Sequence, residues 1–206
     1  GDIELFALLV EQPVVAITGS NGKSTVTTLV GEMLRGDQRK VAVGGNLGTA
    51  ALDSLEQDAE IYVLELSSYQ LETTTSLRPK VAALLNLCED HLDRYPSYAD
   101  YVEAKLRVYN NAAICVSNLD DALTRHAAKD VCFSLDPHSD AEFRLLEDGA
   151  YWLAHRKEAW LPVDRLGISG RHNWANALAA MAIAHRLGVP REAIVEVLQA
   201  FRGIPH

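Results

Sequence analysis

Residues 14–28 read V-V-A-I-T-G-S-N-G-K-S-T-V-T-T. An apolar run closes on Thr18, a turn is punctuated by Gly19 and Gly22, and Lys23-Ser24-Thr25 open a helical pattern. The two glycines admit the tight or left-handed backbone through which successive N–H groups converge on an anion, where a helix dipole adds favourable potential. Gly19, Ser20, Asn21, Gly22, Lys23, Ser24 and Thr25 are therefore candidate phosphate ligands. Lys23 is expected on the β- and γ-phosphates, and the Ser24 or Thr25 hydroxyl on a bound Mg²⁺. The full pattern G-x-x-x-x-G-K-[ST] wants glycine at position 17, where Ile17 stands, so the motif is the shorter G-x-x-G-K-S. A glycine turn between a core strand and a core helix is the competing reading; Lys-Ser-Thr directly after a buried-looking strand favours phosphate.

At 206 residues, 48% hydrophobic and 23% charged, the chain is long enough to bury a sizeable core and is expected to form one domain. No apolar run approaches a membrane span and no signal-type segment opens the chain, so a cytoplasmic protein without a membrane partner is expected; a monomer is the separate expectation for its assembly. The formal net charge of -9 opposes nucleic-acid binding, which needs basic clusters. Cys88, Cys115 and Cys132 lack metal-ligand spacing and read as reduced core residues. A start at Gly1 without methionine and a stop at G-I-P-H, just past a helical pattern, suggest a piece of a longer protein.

Short apolar runs at 14–18, 41–43, 61–66, 81–87 and 114–117 alternate with helical patterns at about 23–34, 47–55 and 97–110. Such alternation predicts an α/β fold with a P-loop, its mainly parallel sheet flanked by helices. From 131 to 163 apolar stretches surround Glu147-Asp148-Gly149, a hairpin signal that predicts a small antiparallel extension. Two helices follow at 171–187 and 191–201, divided by Gly188-Val189-Pro190. Ligands of open α/β sheets bind beyond the carboxyl ends of the strands. The polar residues after each run thus fall in one cleft: the glycine turn, Gly44-Gly45-Asn46, Glu65 with Ser67-Ser68, and Glu89-Asp90-His91.

Glu65 at a strand end suits Mg²⁺ beside a nucleotide, or is simply a solvated carboxylate. His91, among acids, suits a metal or substrate contact, or a structural hydrogen bond. Lys105 falls within the apolar stripe of Tyr98, Tyr101, Val102, Leu106 and Tyr109. Snorkelling is the plain explanation; a cleft-side amine made reactive by burial is the other. In G-R-H-N-W-A-N, Asn173 and Asn176 share a helical face and carry amides that can pair with adenine, while capping by Asn173 competes.

Taken in order, T-G-S-N-G-K-S-T, G-G-N-L-G, L-E-L-S-S-Y-Q-L-E, N-L-C-E-D-H-L-D-R-Y, E-A-K-L-R-V-Y and G-R-H-N-W-A-N resemble the Mur ligases, the ATP-dependent amide-forming enzymes of bacterial peptidoglycan synthesis, and most of all the D-glutamate-adding members. The resemblance covers nearly the whole chain as the family's central, ATP-binding domain, residues 1–206. It implies ATP and Mg²⁺ as cofactors, with UDP-N-acetylmuramoyl-L-alanine and D-glutamate as substrates. Residues 19–25 then bind the phosphates with Lys23 on the γ-phosphate; Ser24 and Glu65 help hold one Mg²⁺ and His91 a second. Lys105 matches the lysine carbamoylated in the family, which turns a cation into a metal ligand. Asn46, Ser67, Gln70 and His91 match positions near the uridine substrate, and His172, Asn173 and Asn176 the adenine side. In the implied reaction the alanine carboxylate attacks the γ-phosphate to give an acyl phosphate, and the D-glutamate amine displaces phosphate. The family's uridine-binding and amino-acid-binding domains are absent, Gly1–Glu4 reading as the link from the first, so the chain alone is expected to lack ligase activity. Other Mur ligases and folylpolyglutamate synthase share the loop in variant form, and a non-catalytic nucleotide-binding module remains open. A switch GTPase is disfavoured because no N-K-x-D segment occurs.

Overall fold

The computed structural model describes residues 1–89, 94–125 and 131–204. In chain order the elements are α1 (Asp2–Leu9), β1 (Val14–Thr18), α2 (Lys23–Gly36), β2 (Val41–Gly45), α3 (Ala51–Ser54), β3 (Ile61–Glu65), α4 (Ser68–Glu72), β4 (Val81–Leu84), α5 (Tyr98–Leu106), β5 (Cys115–Asn118), β6 (Val131–Ser134), β7 (Phe143–Glu147), β8 (Tyr151–His155), β9 (Glu158–Pro162), α6 (Arg171–Arg186) and α7 (Arg191–Ala200). Among the described residues the strands form one nine-stranded sheet in the order β2-β3-β1-β4-β5-β6-β7-β8-β9. Pairing is parallel from β2 through β7 and antiparallel from there to β9.

The apolar runs are continuous rather than alternating because β1, β3 and β4 are buried on both faces. Val15, Ile17, Val63, Val81 and Ala83 join one core with α2, α6 and α7. Their neighbours Val14, Ala16, Tyr62, Leu64, Ala82 and Leu84 join a second with α1 and α5. The period-2 pleat thus sends successive residues into different cores. Beyond β5, among the described residues, only the first core continues, through Phe133, Phe143, Leu145, Leu153 and Leu161, and β7 accordingly alternates buried with more exposed residues. The Asp148-Gly149 turn closes the β7–β8 hairpin, with Gly149 at φ 66°. Glu142 ties this extension to α6, accepting from His155 Nε2 at 2.8 Å and pairing with Arg186. At the outer edge, Arg191 pairs with Glu158 and donates to the Ala159 carbonyl at 2.9 Å.

Two sequence expectations change. Residues 47–50 do not join α3, because Gly45 N–H donates to the Thr49 carbonyl at 3.0 Å and holds that segment against β2. Gly1–Glu4, read as a link, leads into a helix: Ile3 and Phe6 of α1 are buried, with Phe6 edge-on to Tyr62 at 5.3 Å. Glu4 fastens this helix, its carboxylate accepting from the Ser76 hydroxyl and N–H at 2.6 and 3.0 Å and from the Thr75 N–H at 2.7 Å.

Those bonds, the Ser76 hydroxyl foremost, hold the Glu4 carboxyl down at about 2 from the ordinary 4.5. A depressed carboxyl favours the folded arrangement above its unfolded value and loses that contribution as pH falls toward the folded one. The protection of α1 amides, measured against the intrinsic exchange rate at each pH, is therefore expected to fall between about pH 4.5 and 2, ahead of that in the central strands. A Glu4→Gln variant should show the reduced protection already at neutral pH and little further loss of protection on acidification.

Candidate functional site

The site forms where β1 ends between β3 and β4. Thr18 closes β1 fully buried, its hydroxyl donating to the Leu66 carbonyl at 2.6 Å. The chain then turns through Gly19–Gly22 into α2. Gly22 stands at φ 80°, and a Cβ there would lie 2.3 Å from Asn176 Oδ1, so both backbone and neighbour require glycine. From this N-terminus, no bond from the Gly22, Lys23, Ser24 or Thr25 N–H to another described residue occurs. These are the unsatisfied donors every helix start carries. The Ser20 and Asn21 N–H groups are committed instead, to the Asn86 carbonyl at 3.0 Å and to Asn86 Oδ1 at 2.8 Å.

Glu65 ends β3 almost wholly buried. One of its oxygens accepts from Ser24 Oγ at 2.7 Å, the other from Asn46 Nδ2 at 2.8 Å. A buried carboxylate held by two hydrogen bonds is a satisfied one, so the solvated strand-end reading of Glu65 does not hold. Lys105 is buried as well, and does not snorkel: its Nζ donates to Thr18 Oγ1 and the Gly19 carbonyl, each at 3.0 Å. Lys23 Nζ donates to the same Gly19 carbonyl at 3.0 Å and to the Ser20 carbonyl at 3.1 Å. Two lysine head groups therefore converge on one peptide oxygen.

The start of α6 faces the glycine turn. Asn173 is not the cap, since Gly170 holds that position without a side-chain bond. Asn173 Nδ2 donates back to the Ser169 carbonyl at 2.7 Å, and its Oδ1 accepts from Asn176 Nδ2 at 3.1 Å. His172, Asn173 and Asn176 line a cleft of about 740 Å³ that extends from Asn21, Ser24 and Thr25 to Phe133 and Arg202. Ser67 and Gln70 form a capping box on α4: Ser67 Oγ accepts from the Gln70 N–H at 3.2 Å, and Gln70 Oε1 from the Ser67 N–H at 3.0 Å. Asn46 likewise spends its amide on Glu65. His91 lies outside the described residues.

The sequence reading missed Asn86, Asn118 and Phe133, which also line the cleft. An apolar run drawn to residue 87 passes over Asn86, whereas β4 ends at Leu84. Asn86 is thus one of the polar residues just beyond a strand end. Cys88, expected in the core, is exposed. Its N–H donates to Ser20 Oγ at 3.0 Å and its sulfur accepts from Asn21 Nδ2 at 3.3 Å.

A family model described as the Mur ligase middle domain matches residues 17–184. This chain belongs to that family. The UDP-N-acetylmuramoylalanine--D-glutamate ligase of Pseudomonas aeruginosa is 52% identical over 100% of this chain and 47% of its own length. The protein of that name from Escherichia coli K12 is 50% identical, again over 100% of this chain and 48% of its own length. The chain therefore spans about half the length of the curated relatives it matches. Among solved structures, a UDP-N-acetylmuramoyl-L-alanyl-D-glutamate--2,6-diaminopimelate ligase superposes with a TM-score of 0.81 at 26% identity, covering 99% of this chain and 49% of that one. MurF of Acinetobacter baumannii gives 0.75 at 23% identity over 97% and 48%, a likeness of fold alone. As a Mur ligase middle domain, the chain carries its glycine turn and the Ser24–Glu65 pair inside or beside the matched segment's opening strands.

Replacing Gly22 by alanine forces a left-handed residue with a side chain and crowds Asn176. Gly22→Ala is expected to destabilise the fold by about 1–2 kcal/mol from the backbone alone, read by urea denaturation. Adding Asn176→Ala should recover only the part due to crowding, so that a double variant as stable as Asn176→Ala alone would count against backbone strain.

Proposed function

We propose that this chain is the ATP-binding centre of a ligase that joins D-glutamate to UDP-N-acetylmuramoyl-L-alanine. The observation that carries this reading is the meeting, at one point, of the free N–H groups opening α2 with the Ser24–Glu65 pair. A cluster of backbone donors at a helix N-terminus suits phosphate oxygens. The two oxygen ligands beside it suit Mg²⁺, which takes few protein ligands and completes its shell with phosphate and water. When bound, Mg²⁺ would neutralise charge on the β- and γ-phosphates. The names of the relatives at 50% and 52% identity support the choice of substrates.

Each side chain then has a role that its position supports. Lys23 uses two of its three N–H groups on the loop carbonyls and keeps one for the γ-phosphate. Gly22–Thr25 hold phosphate through the backbone, while Gly19, Ser20 and Asn21 shape the loop. Ser24 and Glu65 hold the cation, with Asn46 orienting Glu65. His172, Asn173 and Asn176 frame the base in the cleft, whose apolar wall includes Phe133. Lys105 and Lys23 share the Gly19 carbonyl, so carbamoylation of Lys105 would replace a like-charge pair by an opposite one and add a carboxylate-type ligand near Thr18. By resemblance alone, His91 is assigned to the metal and substrate side, where Ser67 and the Gln70 amide nitrogen are assigned to the substrate.

In this scheme the alanine carboxylate attacks the γ-phosphate in line and ADP leaves. Charge on the transferring group is met by Lys23 and the α2 amides. The D-glutamate amine then adds to the acyl phosphate and expels phosphate as the amide forms. Groups that bind the uridine end and the amino acid would come from outside this chain, and the setting is the cytoplasm, where ATP and a nucleotide-linked substrate are at hand.

Calorimetric titration of the chain with Mg²⁺-ATP and Mg²⁺-GTP tests the reading. Saturable, ATP-selective binding is expected, weakened about 10–100-fold by Lys23→Ala, as suits the loss of a charge-assisted hydrogen bond. Incubation with both substrates and Mg²⁺-ATP should yield no dipeptidyl product from this chain alone. A folded chain that binds neither nucleotide, or binds ATP equally well without Lys23, would refute the proposal.

A further inference from the structure

The strand pair β1–β4 does not stop where its regular ladder stops. Leu85 N–H donates to the Thr18 carbonyl at 3.0 Å in the parallel register, and Ser20 N–H to the Asn86 carbonyl at 3.0 Å, one residue past the Leu85 carbonyl that the register would offer, so the two segments stay paired beyond each strand. The next rung is made by a side chain. Asn86 Oδ1 accepts from the Asn21 N–H at 2.8 Å, and Asn86 Nδ2 donates to the Asn21 carbonyl at 3.0 Å. A carboxamide has the donor and acceptor of a peptide group in one plane, so Asn86 pairs with Asn21 as a further strand residue would, while the main chain of β4 goes elsewhere.

This rung lies at the last residue before the left-handed Gly22 and the free donors of α2. It consumes the Asn21 N–H and so sets where the run of available N–H groups begins. A second fastening lies alongside. Ser20 Oγ accepts from the Cys88 N–H at 3.0 Å, lies 3.2 Å from the Cys88 carbonyl, and meets Tyr101 Oη at 3.0 Å. One hydroxyl donor and two acceptor lone pairs account for all three contacts. Neither fastening needs a ligand, so the loop is held ready before one arrives.

We infer that Asn86 is a positioning residue for the nucleotide loop: its carboxamide extends the β1–β4 ladder to Asn21 and presets the Gly22–Thr25 amides for a phosphate. The inference rests on the reading of this loop as a nucleotide site, and adds to it a residue that need not touch the ligand. Where a competent conformation falls to a fraction f of the population, apparent affinity falls by the same factor. A loop left competent about a tenth of the time would bind about tenfold more weakly.

The test uses the 206-residue chain and three variants: Asn86→Ala, Asn86→Asp and Lys23→Ala. Two quantities are read, the dissociation constant for Mg²⁺-ATP and residue-resolved amide exchange without ligand. For Asn86→Ala we expect about tenfold weaker binding and lost protection at Ser20 and Asn21, with exchange in β1, β3 and β4 unchanged. Asn86→Asp keeps the acceptor and loses the donor, so Asn21 should stay protected while its carbonyl is released. This variant decides the matter if alanine does not fold. Wild-type affinity in Asn86→Ala would overturn the inference, as would protection lost throughout β1 and β4, which marks a general structural role. Unaltered Asn21 exchange in Asn86→Ala would overturn it too. Should the unaltered chain bind no nucleotide, the reading of the site fails by itself, and the exchange arm still decides whether Asn86 orders the loop.

Discussion

Everything in this molecule hangs on β1 being buried on both faces. Its residues alternate between two cores, and both cores need helices to cover them, so the strand can only lie in the middle of the sheet. A central strand flanked by parallel neighbours must deliver its next residues over the sheet's carboxyl edge. The following helix has to begin there and run back across one face. The position of the glycine turn is thus a consequence of burial, and so is the convergence on it of residues leaving β3 and β4.

That geometry also explains why few charged groups among the described residues are buried and why Glu65 and Lys105 are paired. Glu65 and Lys105 are both nearly inaccessible to water, yet neither lacks partners: Ser24 and Asn46 satisfy the acid, Thr18 and Gly19 the amine. Removing water from an ionised side chain costs several kcal/mol unless such bonds replace it. Keeping an acid and two lysines around one turn is therefore a selective arrangement rather than a by-product of packing. Thr18 is its hinge, passing a hydrogen bond from Lys105 on to the Leu66 carbonyl.

Much of this was legible in the residues themselves. The continuous apolar runs gave away doubly covered strands, Asp148-Gly149 the hairpin, and Gly188-Val189-Pro190 the break between the last helices, because each rests on local backbone chemistry. The strand end at Glu65 and the turn before α2 were legible for the same reason. What stayed hidden depends on where a strand ends. Leu85 and Leu87 prolong an apolar run past the last ladder residue, so Asn86 between them looked like an interruption instead of an ending. Cys88, read with the other cysteines as a core residue because it lacks metal-ligand spacing, is in fact exposed. The helix α1 escaped notice because Leu5, Leu8 and Leu9 are apolar yet exposed, so the buried Ile3 and Phe6 do not stand out as one periodic face. Ser67 and Gln70 show the converse: residues marked by resemblance as substrate contacts also serve their own helix as a capping box.

The edge of the extension has a meaning for the molecule's behaviour in a crowded solution. An outermost strand offers bare carbonyl and amide groups to any passing chain, and unguarded edges of this kind recruit one another into aggregates. On β9 the Ala159 carbonyl is already occupied by the Arg191 guanidinium, Glu158 beside it carries charge, and Pro162 ends the strand without an amide hydrogen. A helix that begins by binding the rim of its own sheet thus makes the long sheet finite, so that growth by strand addition is blocked at this margin.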